Sequence, residues 1–260
     1  NIGLAHLEGF GSAEGVKKGK TELFDYLRNT KNSDGSNKKV FVNGVYPELL
    51  EVSEGMDRVI FGTEDEKPKV WFEGEGSKRE FVWTEEGYKS DKATIQLEGD
   101  YNLENIAAAI SIGRFFGIER LTVKSSISNY IPTNNRSQTI KTDSNEIVLD
   151  AYNANPSSME KALKSFAIHK KNPRIVILGE MRELGKDSIE LHSTIVGLCN
   201  ELELDGIFVG EQFKTVEEQF NTSRFYSTVE ELMRYIEAEK ITGKNILLKG
   251  SRGMAMERLL

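Results

Sequence analysis

The stretch Glu146-Ile-Val-Leu-Asp-Ala-Tyr-Asn-Ala-Asn-Pro-Ser-Ser-Met159 sets the reading of the whole chain. Its apolar start, Glu146–Leu149, reads as a buried strand. Its end runs into Met159-Glu-Lys-Ala-Leu-Lys-Ser-Phe166, where the apolar spacing reads as a helix. Pro156 and Ser157 fit the first turn of that helix. Asp150, Asn153 and Asn155 therefore sit on a strand-to-helix loop. In an open α/β sheet such a loop lies at the carboxyl end of the strand, where ligands bind.

The pattern continues outward from this loop. Further apolar runs at Arg174–Leu178, Gly206–Val209 and Asn245–Leu248, and a weaker one at Arg224–Tyr226, read as strands. Helical segments are predicted between them, over roughly 157–169, 188–201, 212–220 and 228–239. Strands that are apolar at consecutive positions are covered on both faces. Their alternation with helices predicts a doubly wound, mostly parallel sheet with right-handed crossovers. The stretch Ile131-Pro-Thr-Asn-Asn-Arg136 reads as a linker, with one domain over 1–131 and another over 132–260.

The first half is mixed α/β. A loop and helix over Leu7–Leu27 lead to a strand at Lys39–Val42. Short strands follow near Arg58–Phe61, Val70–Phe72, Phe81–Thr84 and Thr94–Leu97, with Gly74, Gly76 and Gly87 marking turns, so this region reads as hairpins. Helices are expected over Leu103–Phe116, ending at Gly117, and over Thr122–Tyr130.

Of the 260 residues, 38% are hydrophobic and 29% charged, which suits a soluble globular protein. The net charge of −7 and an isoelectric point near 5.3 argue against a nucleic-acid binder, whose footprint is basic. No apolar run approaches the roughly 18 residues of a membrane span, so no membrane insertion is expected. The lone Cys199 excludes an internal disulfide and favours a reducing, cytoplasmic setting. It falls on the apolar face of a predicted helix and reads as a buried structural thiol. His192 reads as a packed surface histidine. The chain opens at Asn1 inside what reads as structured sequence, and the expectation is an internal point of a longer protein.

One motif is a near miss. Gly15-Val-Lys-Lys-Gly-Lys-Thr21 has three residues between its glycines where a phosphate loop has four, and Glu14 precedes it. It reads as a helix bearing Lys17, Lys18 and Lys20.

Five segments, in order and spread over the chain, resemble one family: Ala5-His-Leu-Glu-Gly-Phe-Gly-Ser12, Gly99-Asp-Tyr-Asn-Leu-Glu-Asn105, Asp150–Met159, Leu178-Gly-Glu-Met-Arg-Glu-Leu-Gly185 and Lys249-Gly-Ser-Arg-Gly-Met-Ala-Met-Glu257. Together they resemble the Mur ligases, in the branch that adds D-alanyl-D-alanine to the peptidoglycan precursor. The resemblance implies the later part of a central ATPase-like α/β domain, followed by a C-terminal dinucleotide-binding-like domain. It also implies that the N-terminal domain and the phosphate loop are absent, and that the chain alone is inactive. The implied reaction activates a carboxylate with ATP to an acyl phosphate, which the incoming amine attacks. Its substrates are UDP-N-acetylmuramoyl-tripeptide and D-alanyl-D-alanine, its cofactors ATP and Mg2+, and the intact protein is expected to be monomeric.

The resemblance also implies roles. His6 matches a magnesium-binding histidine, and Lys20 a lysine that carbamylation converts into an oxygen donor for the metal. Asn102 and Asn105 match adenine contacts, Arg136 a phosphate contact and Asp150 a ribose contact. The surroundings of Arg136 depart from the family: Asn135-Arg-Ser-Gln138 stands where Gly-Arg-x-Glu is usual, and Leu149 stands where a second acid often precedes Asp150. Asn153 and Asn155 are expected to line the site, and Lys249, Ser251 and Arg252 to bind the carboxylate of the dipeptide. Glu180 and Glu183 either face the site or, for Glu183, begin a helix. Read together with Asn102, Arg136 and Lys249, the Asp150 loop is expected to form one wall of a cleft. The rival readings are a folylpolyglutamate-type or other Mur ligase, and a non-catalytic nucleotide- or peptide-binding module.

Overall fold

The computed structural model describes residues 7–62, 68–73, 79–221 and 224–260. The chain forms two compact units. Among the described residues, one comprises Phe10–Gln96 and Tyr101–Tyr130; the other comprises residues 7–9, Leu97–Asp100 and Ile131–Leu260.

The first unit is mixed α/β. A short turn, α1 (Leu7–Phe10), whose residues 7–9 belong to the second unit, leads into helix α2 (Ala13–Asn29), which starts at Ser12, whose side chain accepts from the Gly15 amide. The Gly15–Thr21 motif lies wholly inside α2, so its amides serve the helix rather than a phosphate. Strand β1 (Lys39–Asn43) leads through α3 (Pro47–Val52) to β2 (Asp57–Phe61). β1 and β2 are parallel, which corrects the expectation that Arg58–Phe61 belongs to the hairpins. The short α3 is the reason: six residues show no readable period, yet they supply the crossover that a parallel pair requires. Val40, Val42 and Leu49 pack with Phe24 and Leu27 of α2. The hairpin region proper is β3 (Lys69–Glu73), β4 (Arg79–Glu85), β5 (Tyr88–Lys89) and β6 (Ala93–Ile95), all antiparallel around β4. Phe81 and Trp83 on β4 are fully buried. Helices α4 (Asn102–Phe115) and α5 (Arg120–Ser128) complete the unit.

The second unit is built on one six-stranded sheet. β7 (Gln138–Lys141) pairs antiparallel with β8 (Glu146–Asp150). The chain then alternates through α6 (Pro156–His169), β9 (Arg174–Gly179), α7 (Ser188–Glu201), β10 (Asp205–Val209), α8 (Glu211–Lys214), β11 (Arg224–Tyr226), α9 (Val229–Glu239) and β12 (Asn245–Lys249). The strand order is β11-β10-β9-β12-β8-β7, and every pair except β7·β8 is parallel. β12 thus returns from the far edge into the gap between β8 and β9, and the direction of winding switches there. Ile147, Leu149, Ile175, Ile177, Ile246 and Leu248 join one core with Val229 and Leu232 of α9. The alternate positions Val148, Val176, Leu178 and Leu247 are buried as well. Burial of both faces is the reason these strands are apolar at consecutive positions.

The helix expected over 212–220 is shorter, because between Phe213 and Phe220 only Val216 offers an apolar anchor. α8 ends at Lys214, and a 3₁₀ turn covers Glu217–Gln219. Leu97, read as the end of a strand, instead bridges to Gln138 at the edge of the second sheet. Beside it, Lys170 bonds to Glu98 at 3.0 Å and to Glu146 at 2.6 Å. Burial opposes the charge on Lys170, but the two carboxylates outweigh that cost, and its pKa is raised. Among the described residues no helix is long and apolar enough to cross a membrane.

Cys199 is fully buried on α7, and burial pushes its thiol up to about 12. The thiolate, which is the reactive form, is therefore scarce at neutral pH. A thiol-specific reagent is expected to label the native chain far more slowly than the urea-unfolded chain; equal labelling rates would contradict this packing.

Candidate functional site

The carboxyl ends of β8, β9 and β12 lie side by side at the switch in winding, where an open α/β sheet offers a ligand crevice. Gly179 and Gly250 let two of these strands end in close contact. A Cβ at 250 would lie 2.8 Å from Met256 Cγ and 3.1 Å from Gly179 Cα.

Asp150 and Lys249 end adjacent strands in register. Their side chains meet, with Nζ 2.6 Å from Oδ2, and Lys249 is only 2% exposed. The same ammonium donates to the Asn153 carbonyl at 3.2 Å, and Asp150 Oδ1 accepts from the Ser137 amide at 3.3 Å. One ion pair thus fastens three segments. The sequence reading gave Asp150 and Lys249 to two different ligands; the geometry pairs them with each other.

Ser137 and Asn135 both have positive φ, 50° and 56°, and flank Arg136. Such backbone costs roughly 1 kcal/mol at each non-glycine residue, and the Asp150 bond to Ser137 helps to hold it. The Arg136 guanidinium lies 3.7 Å over the Tyr152 ring. This stacking orients a planar cation of the kind suited to phosphate. Tyr152 is the contact that reading by residue type missed; its place two residues after Asp150 was the available signal.

Other expected residues have local roles. Asn155 Oδ1 caps α6 by accepting from the Ser158 amide at 2.9 Å, while Ser158 Oγ accepts from the Asn155 amide at 3.1 Å. Asn153 Oδ1 accepts from the Ala154 amide at 2.8 Å. The buried Ser251 hydroxyl accepts from the Arg182 amide at 3.0 Å. Arg252 is exposed and pairs with Glu257 at 2.8 Å. In the first unit Asn102 is buried, and its Oδ1 accepts from Asn105 Nδ2 at 3.0 Å, which holds the exposed Asn105 amide. Nearby, Glu104 accepts from Asn43 at 3.2 Å and from Tyr46 at 2.7 Å, a cluster the sequence reading did not find. Lys20 lies half-buried on α2. His6 lies outside the described residues.

A cavity of about 470 Å³ opens beside β9 and β10, lined by Glu8, Glu180, Arg182, Glu183, Ser188 and Gln212 among others. Glu183 is not a helix-start residue: its φ is 63°, on the loop before α7. Behind this loop stands His192, wholly buried rather than at the surface. Its Nε2 accepts from the Met181 amide at 3.0 Å, and Nδ1 lies 2.7 Å from the Ser188 carbonyl. Accepting at Nε2 and donating at Nδ1 requires the neutral ring. Burial lowers its pKa despite the Ser188 carbonyl and Glu180, which favour the proton.

Two family models match, the Mur ligase middle domain over residues 1–113 and the Mur ligase, glutamate ligase domain over residues 135–252. The chain belongs to the Mur ligase family. This Mur ligase chain is 28% identical over its full length to the UDP-N-acetylmuramoyl-tripeptide–D-alanyl-D-alanine ligase of Bacillus subtilis, of which it covers 57%. It is 27% identical to the ligase of the same name from Escherichia coli, covering 58% of it. It therefore spans little more than half the length of these relatives. The crystal structure of MurF from Thermotoga maritima in complex with ADP shares the fold, with a TM-score of 0.81 at 19% identity over the whole chain and 59% of that structure.

Replacing Lys249 by Ala is expected to cost about 3 kcal/mol, because the buried Asp150 carboxylate loses its cationic partner. Replacing the exposed Arg252 by Ala should cost under about 1 kcal/mol. Urea unfolding of the two variants compares them directly, and similar losses would refute the contrast.

His192 gives the pH dependence a sign. Its folded pKa lies below the unfolded value of 6.5, so the unfolded chain binds more protons as pH falls through that value. Stability contributed by the neutral ring is full above pH 6.5 and declines below it. Thermal melts should show a shallower fall between neutral and mildly acidic pH for His192→Gln than for the parent chain. Parallel curves would remove His192 as the cause.

Proposed function

We propose that residues 1–131 and 132–260 are the central ATP-binding and C-terminal parts of an ATP-dependent amide ligase of peptidoglycan synthesis. Its substrates are UDP-N-acetylmuramoyl-tripeptide and D-alanyl-D-alanine, and its setting is cytoplasmic. The observation that carries this reading is the match of the whole chain, through both units, to ligases of that name. The Arg136–Tyr152 stack at the switch of the second sheet supports it.

In this reaction the γ-phosphoryl group of ATP passes to the tripeptide carboxylate, giving an acyl phosphate and ADP. The amine of the dipeptide forms the new C–N bond, the C–O bond to phosphate breaks, and phosphate leaves with the amine giving up a proton. Arg136 is suited to phosphate oxygens: Tyr152 holds the guanidinium plane and leaves its N–H edge for bidentate bonding. Asn105 is suited to a purine edge, since its amide both donates and accepts. Asp150 would meet the ribose, and its bond to Lys249 holds the carboxylate in place. Asn153, Asn155 and Ser251 shape the surrounding loops.

Magnesium is part of the proposed chemistry but has no evident cage here. Among the described residues no group of three His, Cys, Asp or Glu side chains could hold a metal ion. Lys20 as an amine offers nitrogen, whereas a hard cation prefers oxygen; it suits the role only as a carbamate, with His6 as its proposed companion. No step is assigned to the metal.

Isothermal titration of ADP into the 260-residue chain tests the nucleotide half of the reading. Binding is expected, and Arg136→Ala should weaken it by about tenfold, the worth of one charge-assisted contact. Unchanged affinity in that variant, or no binding by the parent chain, would count against the assignment.

A further inference from the structure

We propose that Arg182 anchors the carboxylate of a small zwitterion, of amino-acid or dipeptide size, in the cavity beside β9 and β10. The proposal rests on the ligase reading, and it names the residue that selects the amine-bearing substrate.

Four basic groups cluster at this end of the second sheet, and three of them are committed. Lys249 is buried against Asp150. Arg252 bonds to Glu257 at 2.8 Å. Arg136 stacks on Tyr152. Arg182 differs: its side chain is 53% exposed, lines the cavity, and has only long contacts, 3.6 Å to Glu180 and 3.9 Å to the Met254 sulfur. A ligand carboxylate brought to ordinary bonding distance gains more than these contacts lose.

The backbone of Arg182 is fixed although its guanidinium is only loosely held. Its amide donates to the Ser251 hydroxyl, and the neighbouring Met181 amide donates to His192. The guanidinium lies across Gly253, where a methyl group would overlap it. Glycine at 253 therefore leaves room for the extended arginine.

The rest of the lining sets the other half of the ligand. Glu8 and Glu180 line the same space, two acids against one guanidinium. Glu180, which faces Arg182 at 3.6 Å, has a side chain only 15% exposed and accepts from the Gln212 amide at 3.3 Å. A purely anionic ligand would be repelled by this excess of carboxylates. A ligand with a carboxylate at one end and an ammonium at the other satisfies both. The volume of about 470 Å³ falls in the range of small-molecule sites.

The test uses the 260-residue chain and D-alanyl-D-alanine at millimolar concentration, followed by backbone amide NMR and calorimetry. Saturable binding is expected, with the largest shifts at Glu180–Gly185 and Gln212. Arg182→Ala should weaken it by about tenfold, and Arg182→Lys by less, since lysine keeps the charge but loses the fork. Gly253→Ala should weaken it too, by displacing the guanidinium without removing its charge. N-acetylated dipeptide and dipeptide amide should each bind about tenfold more weakly, one lacking the ammonium and the other the carboxylate.

Absence of saturable binding to the folded parent chain, unchanged affinity in Arg182→Ala, or equal binding of the acetylated dipeptide would overturn the proposal. ADP titrated into the same samples separates the two readings. Zwitterion binding without ADP binding keeps the cavity and sinks the ligase. ADP binding that survives Arg182→Ala, with dipeptide affinity also unchanged, sinks the cavity alone.

Discussion

The loops of the second unit hang on one buried ion pair, Asp150 with Lys249. A charge removed from water is costly unless an opposite charge and further hydrogen bonds meet it. Here each partner makes an additional bond, Lys249 to the Asn153 carbonyl and Asp150 to the Ser137 amide. The pair can form because β8 and β12 are parallel neighbours whose last residues are in register. Order therefore passes from strand pairing, to the ion pair, to two flanking loops. Arg136 is aimed as a result, since Ser137 next to it is held in a conformation that serine alone disfavours.

A second loop is organised differently. Glu180–Gly185 is held by neutral groups, His192 and Ser251, through the backbone amides of Met181 and Arg182. Fixing the backbone in this way leaves the side chains of Glu180 and Arg182 at the cavity wall. The two loops are fixed in different ways: one through a buried charge pair, the other through its backbone amides.

The second unit was largely legible in the sequence because its strands are covered on both faces. Runs such as Arg174–Leu178 and Asn245–Leu248 leave little choice of structure, and the intervening helices follow. The first unit was harder. α3 is too short to show a period, so Arg58–Phe61 reads as one of the hairpin strands rather than as the parallel partner of β1. At the candidate site, residue type marked the right neighbourhood but not the role. Asn155 and Ser251 are as polar in a cap or a loop brace as in a ligand contact, and only the geometry shows Asn155 bonded to Ser158 and Ser251 to Arg182. Lys249 follows an apolar strand, which on its own fits an exposed strand end as well as a buried one. His192 lacked any sequence cue for its two backbone partners, which lie on different segments.

The short segment Leu97–Asp100 lies in sequence between elements of the first unit but belongs to the second. It lays Leu97 along the outer edge of β7 and gives Glu98 to Lys170 and Thr139. The chain therefore crosses from one unit to the other at more than one place, and no single cut yields both units whole. A piece beginning at Ile131 would carry all six strands of the second sheet described above yet bare the flank of β7, leaving Lys170 with Glu146 as its one remaining carboxylate from the pair. An open strand edge of that kind invites pairing with a neighbour, so the natural unit of inheritance, exchange or engineering in this protein is a discontinuous one.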